Sequence, residues 1–155
     1  MITVKETTPK SKVPERRGRS QELTQKLVVE RTEMLVLFCR LAGIESYASE
    51  NRPVQELLED FCQILVDYIA AGHFALYERI IDGTERRREV ATLAEQLYPA
   101  IARTTDAALE FNDRYDCENH VAVLDGLSEE LSRLGEQIAV RIELEDRLIA
   151  AITCG

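Results

Sequence analysis

The stretch from Pro53 to Ile80 constrains the fold of this 155-residue chain more than any other. Val54, Leu57, Leu58, Phe61, Ile64, Leu65 and Tyr68 recur at three- and four-residue steps. At about 100° per residue these positions gather within about 120° of arc, so the segment is a helix with one buried side. Pro53 stands where a first helical turn tolerates it, since its missing N–H would have no partner there. Gly72 is expected to kink this helix, or to end it and open a short third helix running to Ile81. Asp82-Gly83 then marks a turn.

The same periodicity recurs on both sides. Ser20 is a plausible N-cap for a first helix carrying Leu23, Leu27, Met34, Phe38 and Leu41, with Gly43 as its stop. Residues 44–52 read as a loop. Thr84 is placed to cap a further helix bearing Val90, Leu93, Ala94, Leu97, Ile101, Ala108 and Phe111, in which Pro99 should cause a bend or a break. Residues 112–119 are polar and read as a connection, followed by a short helix around His120–Leu124. The last helix is expected to start near Ser128 and to carry Leu131, Leu134, Ile138, Ile142, Glu145, Leu148 and Ile152. No strand alternation and no internal repeat is visible. The fold class expected is all-α, an antiparallel four-helix-bundle-like domain with additional short helices. Residues 1–18 are expected to form a flexible basic tail, and residues 19–155 a single helical domain.

Charge narrows the class of partner. The first twenty residues hold six basic and two acidic side chains, which leaves the other 135 with a formal charge of −13 against −9 for the whole chain. An acidic body repels phosphate backbones and attracts basic surfaces, so a basic protein fits better than nucleic acid. The ordinary alternative is that acidity merely keeps the protein soluble. No apolar run is long enough for a membrane span, and no secretory h-region is present, so a cytoplasmic protein is expected. The four cysteines (Cys39, Cys62, Cys117 and Cys154) are widely spaced and form no Cys-x-x-Cys pair, which argues against a disulfide framework.

Catalytic chemistry finds little support. The chain has no Gly-rich phosphate loop, no Gly-x-Ser-x-Gly elbow and no paired Glu-x-x-His motifs. Cys117 and His120 form one weak zinc-like pair without a second. No cofactor, no metal and no enzymatic activity are expected. His73 precedes Tyr77 by one helical turn, so imidazole and phenol are within reach of a hydrogen bond; a carboxylate such as Glu78 is an alternative partner.

The carboxylates say more. With Phe61 at 0° on the helical wheel, Asp60 and Asp67 fall near −100° and −120°, with Glu56 and Gln63 at about −140° and −160°. Phe74 joins this stripe if the helix continues through Gly72. Most such stripes are solvated helix faces. The sharper reading is a docking surface for a basic helix, with an aromatic anchor and carboxylates that pair with Arg or Lys.

The run Asp60-Phe61-Cys62-Gln63-Ile64-Leu65-Val66-Asp67-Tyr68, continuing through Gly72-His73-Phe74 to Ile80, resembles the signature of the Rsd/AlgQ family of bacterial sigma-factor regulators. Two further blocks share the likeness: Leu41-Ala42-Gly43-Ile44, and Arg141-Ile142-Glu143-Leu144-Glu145-Asp146-Arg147-Leu148-Ile149. Where the family's first helix usually carries Asp-Arg-Trp, this chain has Gln25-Lys26-Leu27. The resemblance covers roughly residues 20–150. It implies a helical anti-sigma factor that binds the C-terminal, −35-reading region of the primary sigma factor of RNA polymerase, one to one, without contacting DNA itself. On that implication Asp67 is the central acidic contact, supported by Asp60 and Gln63, with Phe74 as apolar anchor. His73 and Glu78 shape the edge, Tyr68 is structural, and Glu145 with Asp146 forms a second acidic candidate, unless they simply pair with Arg141 on the helix surface. Two other classes stand beside this one. The first is a hemerythrin-like metal- or ligand-binding bundle with Asp67, His73 and Glu78 turned inward; the second is an acidic adaptor for another basic protein.

Overall fold

The computed structural model describes residues 8–43, 52–78, 87–115 and 126–153. They form four long helices and no strand: α1 (Thr8–Ala42), α2 (Arg52–Gly72), α3 (Arg88–Tyr115) and α4 (Leu127–Thr153). A π-helical turn, His73–Tyr77, extends α2. Each helix packs on its sequence neighbours, and Arg31 and Phe38 of α1 come back against Asp146 and Gly135 of α4. This is an antiparallel four-helix bundle, the fold class expected.

The core shows why. Buried positions in α3 are Val90, Ala94, Leu97, Ile101, Thr104, Ala108, Phe111 and Tyr115, and in α4 Leu127, Leu131, Leu134, Ile138, Arg141, Glu145, Leu148 and Ile152. Both lists advance by four and three residues in strict alternation. So does Val54, Leu58, Phe61, Leu65, Tyr68 and Gly72 in α2. That spacing keeps one seam facing the partners along a bundle's full length. Phe61 sits at its centre, with ring centroids 6.0 Å from Phe38 and 5.8 Å from Phe111.

Several boundaries differ from the sequence reading. α1 begins at Thr8, so Ser20 lies inside the helix instead of starting it. Gly43 closes α1 as expected, with its N–H donating to the Cys39 carbonyl at 2.9 Å. α3 runs unbroken through Pro99. Pro99 lies on the solvent side, where water can take up the carbonyl that a proline leaves free one turn earlier. α3 also continues to Tyr115, through the start of the expected polar connection. α4 begins at Leu127, after Gly126, whose φ of 81° suits glycine alone without strain. The expectations for Ile81, Asp82-Gly83, Thr84, Cys117 and the short helix His120–Leu124 fall outside the described residues. No helix among the described residues is long and apolar enough to cross a membrane.

Candidate protein-binding site

Asp60, Gln63 and Asp67 are all exposed on the outer side of α2, opposite its apolar seam. The Gln63 side-chain amide donates to Asp67 Oδ1 at 3.3 Å, one helical turn away. Phe74 is 51% exposed, although it belongs to a large apolar side-chain class normally withdrawn from water. The His73 ring meets it edge-on at 5.3 Å. Asp67 and Phe74 border one groove between α1 and α2, of about 400 Å³, which Leu23, Lys26, Glu30, Ala70 and Ala71 also line. The acidic stripe thus ends in a recess that joins apolar Leu23, Ala70, Ala71 and Phe74 with the carboxylates Asp67 and Glu30 and the ammonium of Lys26.

The π-turn decides what lies beyond Phe74. A π-turn places one extra residue in a helical turn, which rotates everything after it by about 100° relative to a regular α-helix. Tyr77 is carried inward and buried, and Glu78 is carried off the acidic stripe to a half-buried position. The His73–Tyr77 hydrogen bond envisaged from the sequence does not form. His73 is exposed, and the buried Tyr77 hydroxyl has no hydrogen-bond partner among the described residues.

Glu145 requires correction. Expected as a surface acid beside Asp146, it is fully buried. Its Oε2 accepts from Arg141 Nε at 2.9 Å and its Oε1 from the Tyr68 hydroxyl at 2.5 Å. Arg141 is buried with it and also donates to the hydroxyls of Thr104 at 3.2 Å and Thr105 at 2.7 Å. The pairing with Arg141 raised as an alternative therefore exists, but in the interior and not on the helix surface. Burial pushes the Glu145 carboxyl above the ordinary range, with Arg141, the Tyr68 hydroxyl and Arg31 pulling against it. The Tyr68 hydroxyl is raised strongly, by burial first and then by the adjacent Glu145 charge. Asp146 is half-exposed and pairs with Arg31 Nη1 at 2.8 Å. It remains on the surface, already held to α1.

Asp67 and His73 face outward, which disposes of an inward Asp67–His73–Glu78 ligand set. Sequence reasoning also missed what α1 supplies: Leu23, Lys26 and Glu30 complete the groove. The available signal was antiparallel pairing, which sets this part of α1 beside the last turn of α2.

A family model described as "Regulator of RNA polymerase sigma(70) subunit, Rsd/AlgQ" matches residues 7–153. The protein named "Regulator of sigma D" from Yersinia enterocolitica is 36% identical over 141 residues, covering 87% of this chain and 83% of that protein. Its namesake from Shigella dysenteriae is 33% identical over 147 residues, covering 89% and 88%. No solved structure matches the chain. The chain belongs to the Rsd/AlgQ family of regulators of the RNA polymerase sigma(70) subunit.

Proposed function

We propose that this regulator is an anti-sigma factor acting by sequestration: it binds the C-terminal, −35-reading region of the primary sigma factor in the cytoplasm and withholds it from promoter and core polymerase. Core enzyme is then left to alternative sigma factors. The action is binding by mass action, with no chemical step and no cofactor. The observation that carries the reading is the shared groove, in which Asp67 and Phe74 present a carboxylate and an exposed ring side by side. A helix-turn-helix that reads DNA offers a basic face. Arg or Lys from such a face would meet Asp60, Asp67 and Glu30, while an apolar side chain enters the groove beside Phe74. Gln63 and His73 border this contact. Glu78, half-buried beyond the π-turn, and Asp146, held by Arg31, do not line the groove and are expected to contribute little, and Glu145 acts from the interior.

Titration calorimetry of the full chain against the isolated C-terminal domain of the host's primary sigma factor tests this. Saturable one-to-one binding that weakens with salt is expected, because exposed charges are screened within about 10 Å at 0.1 M salt. Asp67→Ala should remove about 2–5 kcal/mol of binding, as for a carboxylate desolvated against a cation. Parental affinity in Asp67→Ala and Phe74→Ala would place the contact elsewhere. Absence of binding at any salt would favour a different basic protein as the partner.

A further inference from the structure

Each of the four helices contributes a polar or glycine residue to one level of an otherwise apolar core. α4 supplies Arg141 and Glu145, both on its four-and-three seam. α3 supplies Thr104 from its seam. α2 supplies Tyr68 and Gly72 from its own. α1 supplies Arg31, four residues after buried Leu27 and three before buried Met34, with Nη1 at 3.6 Å from Glu145 Oε1. The Arg141 guanidinium lies 5.5 Å from the Tyr68 ring centroid. Gly72 has the close approach to match: a Cβ there would stand 3.0 Å from Arg141 Nη2 and 3.4 Å from Glu145 Oε2. Thr104, Arg141 and Glu145 are the buried polar or charged residues among those described.

Such a layer is a poor way to gain stability. Desolvating an ion pair opposes its attraction, and apolar side chains of similar volume commonly do as well or better. What it supplies is uniqueness of register. An apolar seam repeats every seven residues, so one helix can slide along its neighbours and still meet apolar partners. A polar layer that occurs once satisfies its charges in one register only.

The layer stands directly behind the docking groove. Tyr68 follows Asp67, and Gly72 is the last α-helical residue before the π-turn that displays His73 and Phe74. A slip of α2 by one seven-residue repeat, about 10.5 Å, would carry Asp67 and Phe74 away from Leu23, Lys26 and Glu30 and abolish the groove.

We infer that Arg141, Glu145, Tyr68 and Gly72 are positioning residues for partner binding: they lock α2 and its π-turn in the register that forms the Asp67–Phe74 groove, without touching the partner. This rests on the proposed docking face. The test is the triple variant Tyr68→Phe/Arg141→Met/Glu145→Leu, which removes the buried charges and the hydroxyl together. Thr104 and Thr105 still bond the Ile101 carbonyl in that variant, and Arg31 still pairs with Asp146. Three readouts are taken on the full chain: thermal unfolding midpoint, affinity for the isolated sigma C-terminal domain, and backbone amide NMR shifts of His73–Tyr77.

The expected result is a midpoint at or above the parent's, affinity weakened by about tenfold or more, and displaced amide shifts across the π-turn. Parental affinity with unmoved shifts overturns the proposal. A loss of affinity that only tracks a falling midpoint also overturns it, since the layer then serves stability alone. If the triple variant does not fold, Tyr68→Phe removes one hydrogen bond to the buried Glu145 and is read on affinity and π-turn shifts alone, with parental values of both overturning the proposal. The shifts need no partner. Moved shifts together with an affinity insensitive to Asp67→Ala and Phe74→Ala would therefore refute the docking face and leave the register role standing.

Discussion

Truncating Glu145 to alanine probes the interior most directly. The Glu145 side chain is fully buried, and the Arg141 side chain is 3% exposed at 2.9 Å from it. Glu145→Ala leaves that guanidinium in the core with the Thr104 and Thr105 hydroxyls as its remaining acceptors among the described residues, and it takes the acceptor from the Tyr68 hydroxyl. An uncompensated buried charge costs about 3–5 kcal/mol. The orphaned hydroxyl alone would cost about 1–3 kcal/mol, but it shares the same partner and does not simply add. A loss of about 3–5 kcal/mol is therefore expected. Typical domains hold about 5–15 kcal/mol in all, and for a chain of this length the loss lowers the midpoint by about 10–15 °C. Urea unfolding followed by circular dichroism measures it, with an unchanged denaturant slope confirming that the same surface unfolds. Adding Arg141→Met and Tyr68→Phe, with leucine at 145, should restore most or all of the loss. A Glu145→Ala protein within about 0.5 kcal/mol of the parent, the usual range for surface changes, would mean that Arg141 does not depend on Glu145 in the core. A triple apolar variant as unstable as Glu145→Ala would mean instead that the pair is a net source of stability.

Three other outcomes are expected. Phe61→Ala empties the space between the Phe38 and Phe111 rings and should cost about 3–5 kcal/mol in chemical denaturation, whereas Phe74→Ala, at a half-exposed ring, should change stability by under about 0.5 kcal/mol. Gly126→Ala, with nothing within 4 Å of the added methyl among the described residues but a φ of 81°, should cost about 1–2 kcal/mol through backbone strain, and asparagine there should cost less. Tyr68 and Tyr77 both have hydroxyls raised well above the ordinary tyrosine value of 10.0 by burial. Their folded values exceed their unfolded ones, so the associated stability is intact below about pH 10 and is lost as pH rises beyond it. Tyrosinate absorbance should show these two ionising only together with unfolding, and their ionisation in a still-helical protein would contradict their burial.

The division between sequence and tertiary structure follows from the range of the forces involved. Helix periodicity is local, so the all-α class, the buried side of α2 from Val54 to Tyr68 and the stop at Gly43 were legible one residue at a time. So was the outward stripe of Asp60, Gln63 and Asp67, since an angle on a helix needs no neighbour. The four-and-three steps of α4 also land on Arg141 and Glu145, which marks both as seam residues despite their charge. Sequence alone weighed that charge as a surface property, because burial is tolerable only if Tyr68, Thr104, Thr105 and Arg31 converge from three other helices. Pro99 inside α3 and the start of α1 ahead of Ser20 likewise went against local preference. Only tertiary structure set Leu23, Lys26 and Glu30 of α1 across a groove from Asp67 and Phe74, because antiparallel pairing joins residues some forty-four positions apart. It alone also turned Tyr77 inward and Glu78 off the stripe: a one-residue π insertion rotates every later side chain by about 100°, and close approach at Gly72 to the Arg141 guanidinium lies beyond the reach of any periodicity.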